Sequence, residues 1–146
     1  MEWQAYVARK VHTLFWEDND NCAVTTLRIG AELFRLTLAP QVLEAALGLW
    51  GAGGYRAQCG LVEGGLMLFG LLGSRKSLTR GEIGRLCGRY AEGFDREFGG
   101  LTCRELRPGG FRSDDPPHRC EELARRTVVY TCEELARSLS LRPRLP

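Results

Sequence analysis

Hydrophobic residues along the chain recur every three or four positions, which is the spacing of an α-helix. The clearest run is Ile83, Leu86, Tyr90, Phe94 and Phe98, after a Thr79–Glu82 capping box. Such repeats predict six helices, over residues 2–16, 22–38, 40–50, 59–72, 80–98 and 118–139. No segment alternates like a series of strands. We therefore predict an all-α, up-and-down bundle of about five to six helices.

Glycine marks two features of this predicted bundle. Residues 51–55 form a glycine-rich loop before the fourth helix. Gly60, Gly64 and Gly65 lie inside that helix, although each costs roughly 1 kcal/mol relative to alanine. We interpret this strip as a surface against which a neighbouring helix packs closely. Residues 1–140 are predicted to form a single helical domain, and residues 141–146 a frayed tail.

Composition narrows the functional classes. The chain has 146 residues and a formal net charge of +2, which is too small to indicate binding to nucleic acid or to an anionic membrane. The arginines between residues 104 and 126 alternate with acidic residues, and we interpret them as a solvated surface. The longest apolar stretch, Gly64–Leu72, is shorter than the roughly 20 residues of a membrane span. No signal peptide is apparent, so we expect a cytoplasmic protein, in which thiols stay mostly reduced.

Four of the six cysteines lie at predicted helix starts: Cys22, Cys59, Cys103 and Cys120. Cys103 opens only a short turn, where Thr102 and Glu105 have the spacing of a second capping box. A helix start carries unpaired N–H groups and a partial positive charge, which favours the thiolate, the form that attacks disulfides or binds metals. The other two, Cys87 and Cys132, lie on apolar stripes and are predicted to be structural.

The direction of the chain predicts that these four cysteines meet. If the third helix and the glycine-rich loop carry the chain back along the bundle, the fourth helix starts at the same end as the second. The fifth helix then returns to that end, where Cys103 follows its glycine stop and Cys120 precedes the last helix. All four thiols are therefore expected at one end of the bundle.

The local contexts of the four cysteines resemble a known family. The segments are Asn21-Cys22-Ala23, Cys59-Gly60-Leu61-Val62-Glu63-Gly64, Cys103-Arg104-Glu105-Leu106 and Cys120-Glu121-Glu122-Leu123. They resemble the C_GCAxxG_C_C family, whose members are described as redox-active, over about residues 10–137. The resemblance implies a small, mostly helical prokaryotic protein whose four shared cysteines have a redox role. Leu61 departs from the family pattern, which favours alanine there.

Three functions remain open at this point. The first is thiol–disulfide exchange by Cys22, Cys59, Cys103 and Cys120 with an unidentified redox partner; four cysteines allow three pairings. Cys59 is the preferred nucleophile, because a glycine-rich loop precedes it and Gly60 leaves one side open. Glu63, four residues later, is a candidate proton acceptor, although we interpret it first as a surface or core-edge residue.

The second function is metal binding, in which the same four cysteines hold zinc or an iron–sulfur cluster. His118 is a candidate substitute ligand, although we interpret it first as a solvated loop histidine, and His12 has no partner in the sequence. The third is a non-catalytic helical interaction domain. In that case Trp3, Trp16 and Trp50 would form a homodimer interface, although core packing also explains them.

Overall fold

The structure, a computed structural model, describes residues 1–146 and contains eight helices and no strands. The long helices are α1 (Glu2–Trp16), α2 (Cys22–Leu33), α5 (Gly60–Arg75), α6 (Arg80–Phe98) and α8 (Glu121–Leu139). The short ones are α3 (Pro40–Ala45), α4 (Gly51–Gly54) and α7 (Cys103–Leu106). The predicted all-α fold is confirmed, and α4 and α7 are single turns. None of the eight helices combines the length and the apolar character that crossing a membrane would need.

The second helix ends at Leu33, so the predicted end at Leu38 is wrong. Arg35 adopts a left-handed conformation with φ of +54°, and the Leu36 N–H donates to the carbonyl oxygen of Ala31 at 2.8 Å. This closure is the Schellman motif, in which the left-handed residue is usually glycine. This helix end is not predictable from the sequence, because arginine occupies the left-handed position at which glycine is usual.

Two further predicted boundaries are corrected. The third helix ends at Ala45 rather than at residue 50, and turns follow. The last helix begins at Glu121 rather than at His118, because His118 has a left-handed φ of +58°. The fourth predicted helix is α5, which extends beyond Leu72 to Arg75. The predicted glycine-rich loop is the α4 turn, in which Gly53 is also left-handed.

Helices α2 and α5 run parallel, since Gly60 faces Cys22 at their starts and Gly30 faces Leu68 further along. The segment between them therefore crosses back along the bundle. The side-chain amide of Asn21, which caps α2, donates to Ala46 O at 3.0 Å and to Leu47 O at 3.1 Å. This contact confirms that the chain returns to the start of α2 before α5 begins.

The glycines of α5 allow this close packing. A Cβ added to Gly64 would lie 2.8 Å from Ala23 O, and one added to Gly65 would overlap the Tyr90 hydroxyl. The hydroxyl of Tyr90 in turn shares a buried hydrogen bond of 2.7 Å with Thr131 of α8. The predicted role of the glycine strip in helix packing is confirmed.

The remaining predicted features divide between the core and the surface. Cys132 is fully buried, as predicted, whereas Cys87 is half-buried. Trp16 and Trp50 are each 49% exposed. Residues 141–146 form no helix, and the Arg144 N–H donates to Leu33 O at 2.9 Å.

Candidate thiol site

A short backbone pairing brings Cys59 and Cys103 together. Gln58 and Thr102 form an isolated antiparallel bridge. The Cys59 N–H donates to Leu101 O and the Cys103 N–H donates to Ala57 O, each at 2.8 Å. Because side chains alternate along extended backbone, both cysteines point to the face opposite Gln58 and Thr102.

Helix caps fix the cysteines at the ends of this pairing. Thr102 and Glu105 form a complete capping box on α7, so Cys103 is the first residue of that turn. Cys59 is the N-cap residue of α5. The predicted positions of both cysteines at helix starts are confirmed.

Cys22 and Cys120 approach the same place from α2 and α8. Asn21 caps α2 through its side-chain oxygen, which accepts from the Val24 N–H at 2.8 Å, and Cys22 is the first helical residue. Cys120 is the N-cap residue of α8. All four cysteines line one cavity of about 310 Å³, which we call the thiol cavity. They therefore lie at one end of the bundle, as the chain direction predicts.

The neighbouring Cys59 and Cys103 thiols have opposite effects on one another. Interaction with the Cys59 thiol lowers the pKa of Cys103 to about 7, helped by the positive charge of Arg107. The same interaction, together with burial, raises the pKa of Cys59. Cys103 is half-buried, whereas Cys59 is only 3% exposed. The ionised thiol is thus the more accessible one.

The other two thiols of the cavity stay protonated. Burial and the nearby sulfur atoms of Cys120 and Cys103 raise the pKa of Cys22 to about 12. Burial also raises the pKa of Cys120, against the opposing charge of Arg107. The expectation that all four helix starts favour thiolates is therefore wrong for Cys22, Cys59 and Cys120, whose pKa values are raised by burial.

Arg107 is a candidate functional residue that the sequence did not reveal. Its Nε donates to Gly110 O and its Nη2 to Asp115 Oδ2, each at 3.0 Å, and these bonds hold the guanidinium beside the thiols. Its charge lowers the pKa of Cys22, Cys103 and Cys120. The interpretation of the local arginines as a solvated surface is therefore wrong for Arg107. No sequence signal separates it from its exposed neighbours, because its position depends on the turn that follows α7.

The glycine-rich segment contacts Cys103 rather than Cys59. Gly51 has a φ of +73°, and a Cβ added there would lie 2.8 Å from the Cys103 Sγ. The backbone can therefore approach this sulfur only because residue 51 is glycine. The glycine-rich loop, which precedes Cys59 in the sequence, therefore borders the side chain of Cys103.

A second cavity of about 470 Å³ adjoins the thiol cavity. The two share four lining residues: Cys22, Trp50, Arg107 and Cys120. His118 and Arg119 line only the second cavity, where the His118 ring packs against Phe15 and Trp16. The two cavities are therefore neighbours that share part of their walls, and we call them together the recess around the thiols.

The remaining sequence candidates lie outside this recess. Glu63 lines neither cavity, and burial raises its pKa. His12, for which the sequence suggests no partner, lies 2.6 Å from the Glu121 carboxylate. All six cysteines are free thiols, and no group of three or more His, Cys, Asp or Glu side chains is arranged as a metal site.

The comparison with known families agrees with the resemblance seen in the sequence. A family model described as "Putative redox-active protein (C_GCAxxG_C_C)" matches residues 20–135, a span that contains all six cysteines. No curated protein and no solved structure matches the chain. Because the family model covers most of the sequence, the protein belongs to the C_GCAxxG_C_C family.

Proposed function

We propose that this protein carries out thiol–disulfide exchange in which Cys103 is the attacking thiolate and Cys59 the resolving thiol. The backbone pairing of Gln58 with Thr102 carries the proposal, because it places both cysteines in the wall of one cavity. The opposite pKa shifts of the two thiols support it further, since they favour the thiolate at Cys103 and the thiol at Cys59. Cys103 thereby replaces Cys59, which the sequence favours, as the nucleophile.

The pKa of Cys103 suits this role. With a pKa of about 7, the thiol is about half ionised at neutral pH. An ordinary cysteine, with a pKa near 8.5, is only about 3% ionised there. Cys103 therefore carries more reactive thiolate at neutral pH than an ordinary cysteine does. A nucleophile whose pKa lies near ambient pH also combines high ionisation with high intrinsic reactivity.

The exchange proceeds in two balanced steps. The Cys103 thiolate attacks one sulfur of a disulfide RSSR, a Cys103–SR bond forms, and the other half leaves as RS⁻ and takes up a proton. Cys59 then loses its proton and attacks the Cys103 sulfur, which forms the Cys59–Cys103 disulfide and releases the second RSH. The protein dithiol is oxidised by two electrons and the substrate is reduced by two. An external dithiol returns the enzyme to its reduced form.

Cys22 and Cys120 form the second thiol pair of the proposal. Both line the thiol cavity. The sulfur atoms of Cys120 and Cys103 raise the pKa of Cys22, and that of Cys103 raises the pKa of Cys120. By the same exchange, they can take over the disulfide from Cys103. Their raised pKa values make this transfer slower than the first one.

Pulse alkylation tests the assignment of the nucleophile directly. Trypsin places the six cysteines in six different peptides, so each thiol can be followed by mass spectrometry. The reduced protein is treated briefly with iodoacetamide between pH 5 and pH 9, then denatured and blocked. We expect Cys103 to react first, at a rate that rises with pH and is half-maximal near pH 7. Faster reaction of Cys59 or Cys22 would contradict the proposal.

Two substitutions at Cys59 separate its contributions. Cys59→Ala removes the neighbouring thiol, so the pKa of Cys103 should rise and its alkylation at pH 7 should slow. Cys59→Ser keeps a hydroxyl group in its place and should retain most of the reactivity. Neither variant can resolve through residue 59, so a small disulfide should accumulate as a mixed disulfide on Cys103 until the slower Cys22 or Cys120 reacts with it. In the wild type it should give the Cys59–Cys103 cross-link, and a different first pair would overturn the pairing.

Metal analysis of the protein as purified without oxygen belongs to the same test. Four clustered cysteines are also the ligand set of zinc and iron–sulfur sites. Stoichiometric zinc or iron that protects Cys59 and Cys103 from alkylation would favour the metal-binding function over thiol–disulfide exchange.

A further inference from the structure

The recess around the thiols is positively charged. Three arginines line it, namely Arg56, Arg107 and Arg119, whereas Asp20 is its one lining carboxylate. Asp20 is already bound by Arg28, whose Nε donates to it at 2.8 Å. Asp115 lies beneath the wall and pairs with both Arg107 and Arg119. The single negative charge of Asp115 therefore offsets only part of the positive charge of these two guanidinium groups.

Two of these arginines converge on one aromatic ring. The guanidinium carbon of Arg56 lies 4.0 Å from the centroid of the Phe111 ring, and that of Arg107 lies 4.5 Å from it. The ring attracts each cation, but the two like charges repel one another. A bound anion between or beside them would relieve this repulsion.

The arginines also have hydrogen-bonding capacity left for a ligand. The Nε of Arg119 donates to Pro108 O at 3.0 Å, and neither of its Nη atoms hydrogen bonds to a protein acceptor. Arg107 likewise keeps its Nη1 free of protein acceptors, because its two bonds use Nε and Nη2. Guanidinium groups held in this way match carboxylate and phosphate oxygens.

The recess has the size and lining of a small-molecule site. Its two parts measure about 310 Å³ and about 470 Å³, within the range of known ligand pockets. Trp50, Phe111, Leu106 and Leu123 supply apolar wall beside the cysteines. An apolar wall with a few converging cations fits a molecule that has a hydrocarbon or sulfur centre and an anionic end.

We propose that the substrate of the exchange is a small disulfide that carries carboxylate or phosphate groups, bound by Arg56, Arg107 and Arg119 with its sulfur atoms at Cys103. This inference rests on the proposed function, because it names the substrate of the same site. The Cys103 thiolate attacks this disulfide and Cys59 resolves the mixed disulfide, so that both halves of the substrate leave as anionic thiols.

A charge series of disulfides tests this proposal. The probes are glutathione disulfide with carboxylates, coenzyme A disulfide with phosphates, neutral bis(2-hydroxyethyl) disulfide and cationic cystamine. Each rate of reaction at Cys103 is divided by the rate of the same disulfide with free 2-mercaptoethanol at the same pH, which removes intrinsic differences between the probes. We expect at least one anionic disulfide to react about tenfold faster than the cationic one on this scale. The comparison between the first two shows which anion is preferred.

Arginine variants assign the preference to the recess. Arg119→Gln should lower the rate with the preferred anionic disulfide about fivefold, equivalent to ~1 kcal/mol, and Arg119→Lys should restore most of it. Arg112→Gln is the matched control, because Arg112 is an exposed arginine of the same loop that lines neither cavity. Iodoacetamide, which is uncharged, should react equally with all these variants.

The outcomes separate the two proposals. Equal normalised rates across the charge series, or no effect of Arg119→Gln, would overturn the anionic substrate and leave the exchange reaction standing. Failure of Cys103 to react with any of the four disulfides would overturn the exchange reaction itself.

Discussion

The contact between α2 and α5 gives a quantitative prediction for Gly64→Ala. A Cβ at residue 64 would lie 2.8 Å from both Ala23 O and Thr26 Cβ. Ordinary van der Waals contact requires about 3.4 Å or more, so the two helices must separate by roughly half an ångström. Overpacking of this kind costs ~1–3 kcal/mol. The higher helix propensity of alanine offsets about 1 kcal/mol of this cost in unfolding free energy.

Gly70→Ala is the matched control, because Gly70 lies in the same helix and its added Cβ would meet nothing within 4 Å. The gain in helix propensity is common to both variants, so their difference in unfolding free energy isolates the clash, at ~1–3 kcal/mol. Urea unfolding followed by circular dichroism measures it. With a slope of about 2 kcal/mol per molar, the midpoints should differ by roughly 0.5–1.5 M. Equal midpoints for the two variants would refute the packing argument.

Three further predictions concern the site and the core. Arg107→Met removes the cation beside Cys103, so the half-maximal pH of its alkylation should move above 7; an unchanged midpoint would contradict the electrostatic assignment. Thr102→Ala and Thr79→Ala each remove an equivalent capping box and should cost ~0.5–2 kcal/mol in urea unfolding, but only the first should slow Cys103 alkylation. Tyr90→Phe deletes one buried hydrogen bond and should lower the unfolding free energy by ~0.5–1.5 kcal/mol with Cys103 reactivity intact.

Local sequence signals predicted much of the fold. The capping boxes at Thr79 and Thr102 are both present in full, because their hydrogen bonds join residues only three positions apart. The glycine strip of α5 also has the predicted packing role. The end of α2 was not predictable in this way, because a left-handed arginine at residue 35 carries no composition signal.

The placement of the four cysteines followed from chain direction, whereas their chemistry did not. The pairing of Gln58 with Thr102 joins positions 44 residues apart, and neither local sequence contains a pattern that predicts it. Helix starts and an assumed crossover were sufficient to place the sulfur atoms together. The proximity of Cys59 and Cys103, on which the proposed roles of the two thiols rest, depends on that pairing of distant segments.

The pKa of Cys103 differs in direction from those of two other cysteines at helix starts, Cys22 and Cys120. Cys22 and Cys120 begin helices of 12 and 19 residues, yet burial raises the pKa of both. Cys103 begins a single four-residue turn, and its pKa alone is lowered. All three residues lie at the positive end of a helix or helical turn, so that position alone does not distinguish them. The thiolate at Cys103 is favoured by its specific neighbours, the Cys59 thiol and the Arg107 cation, and substitutions at those two positions should raise its pKa and slow its alkylation at pH 7.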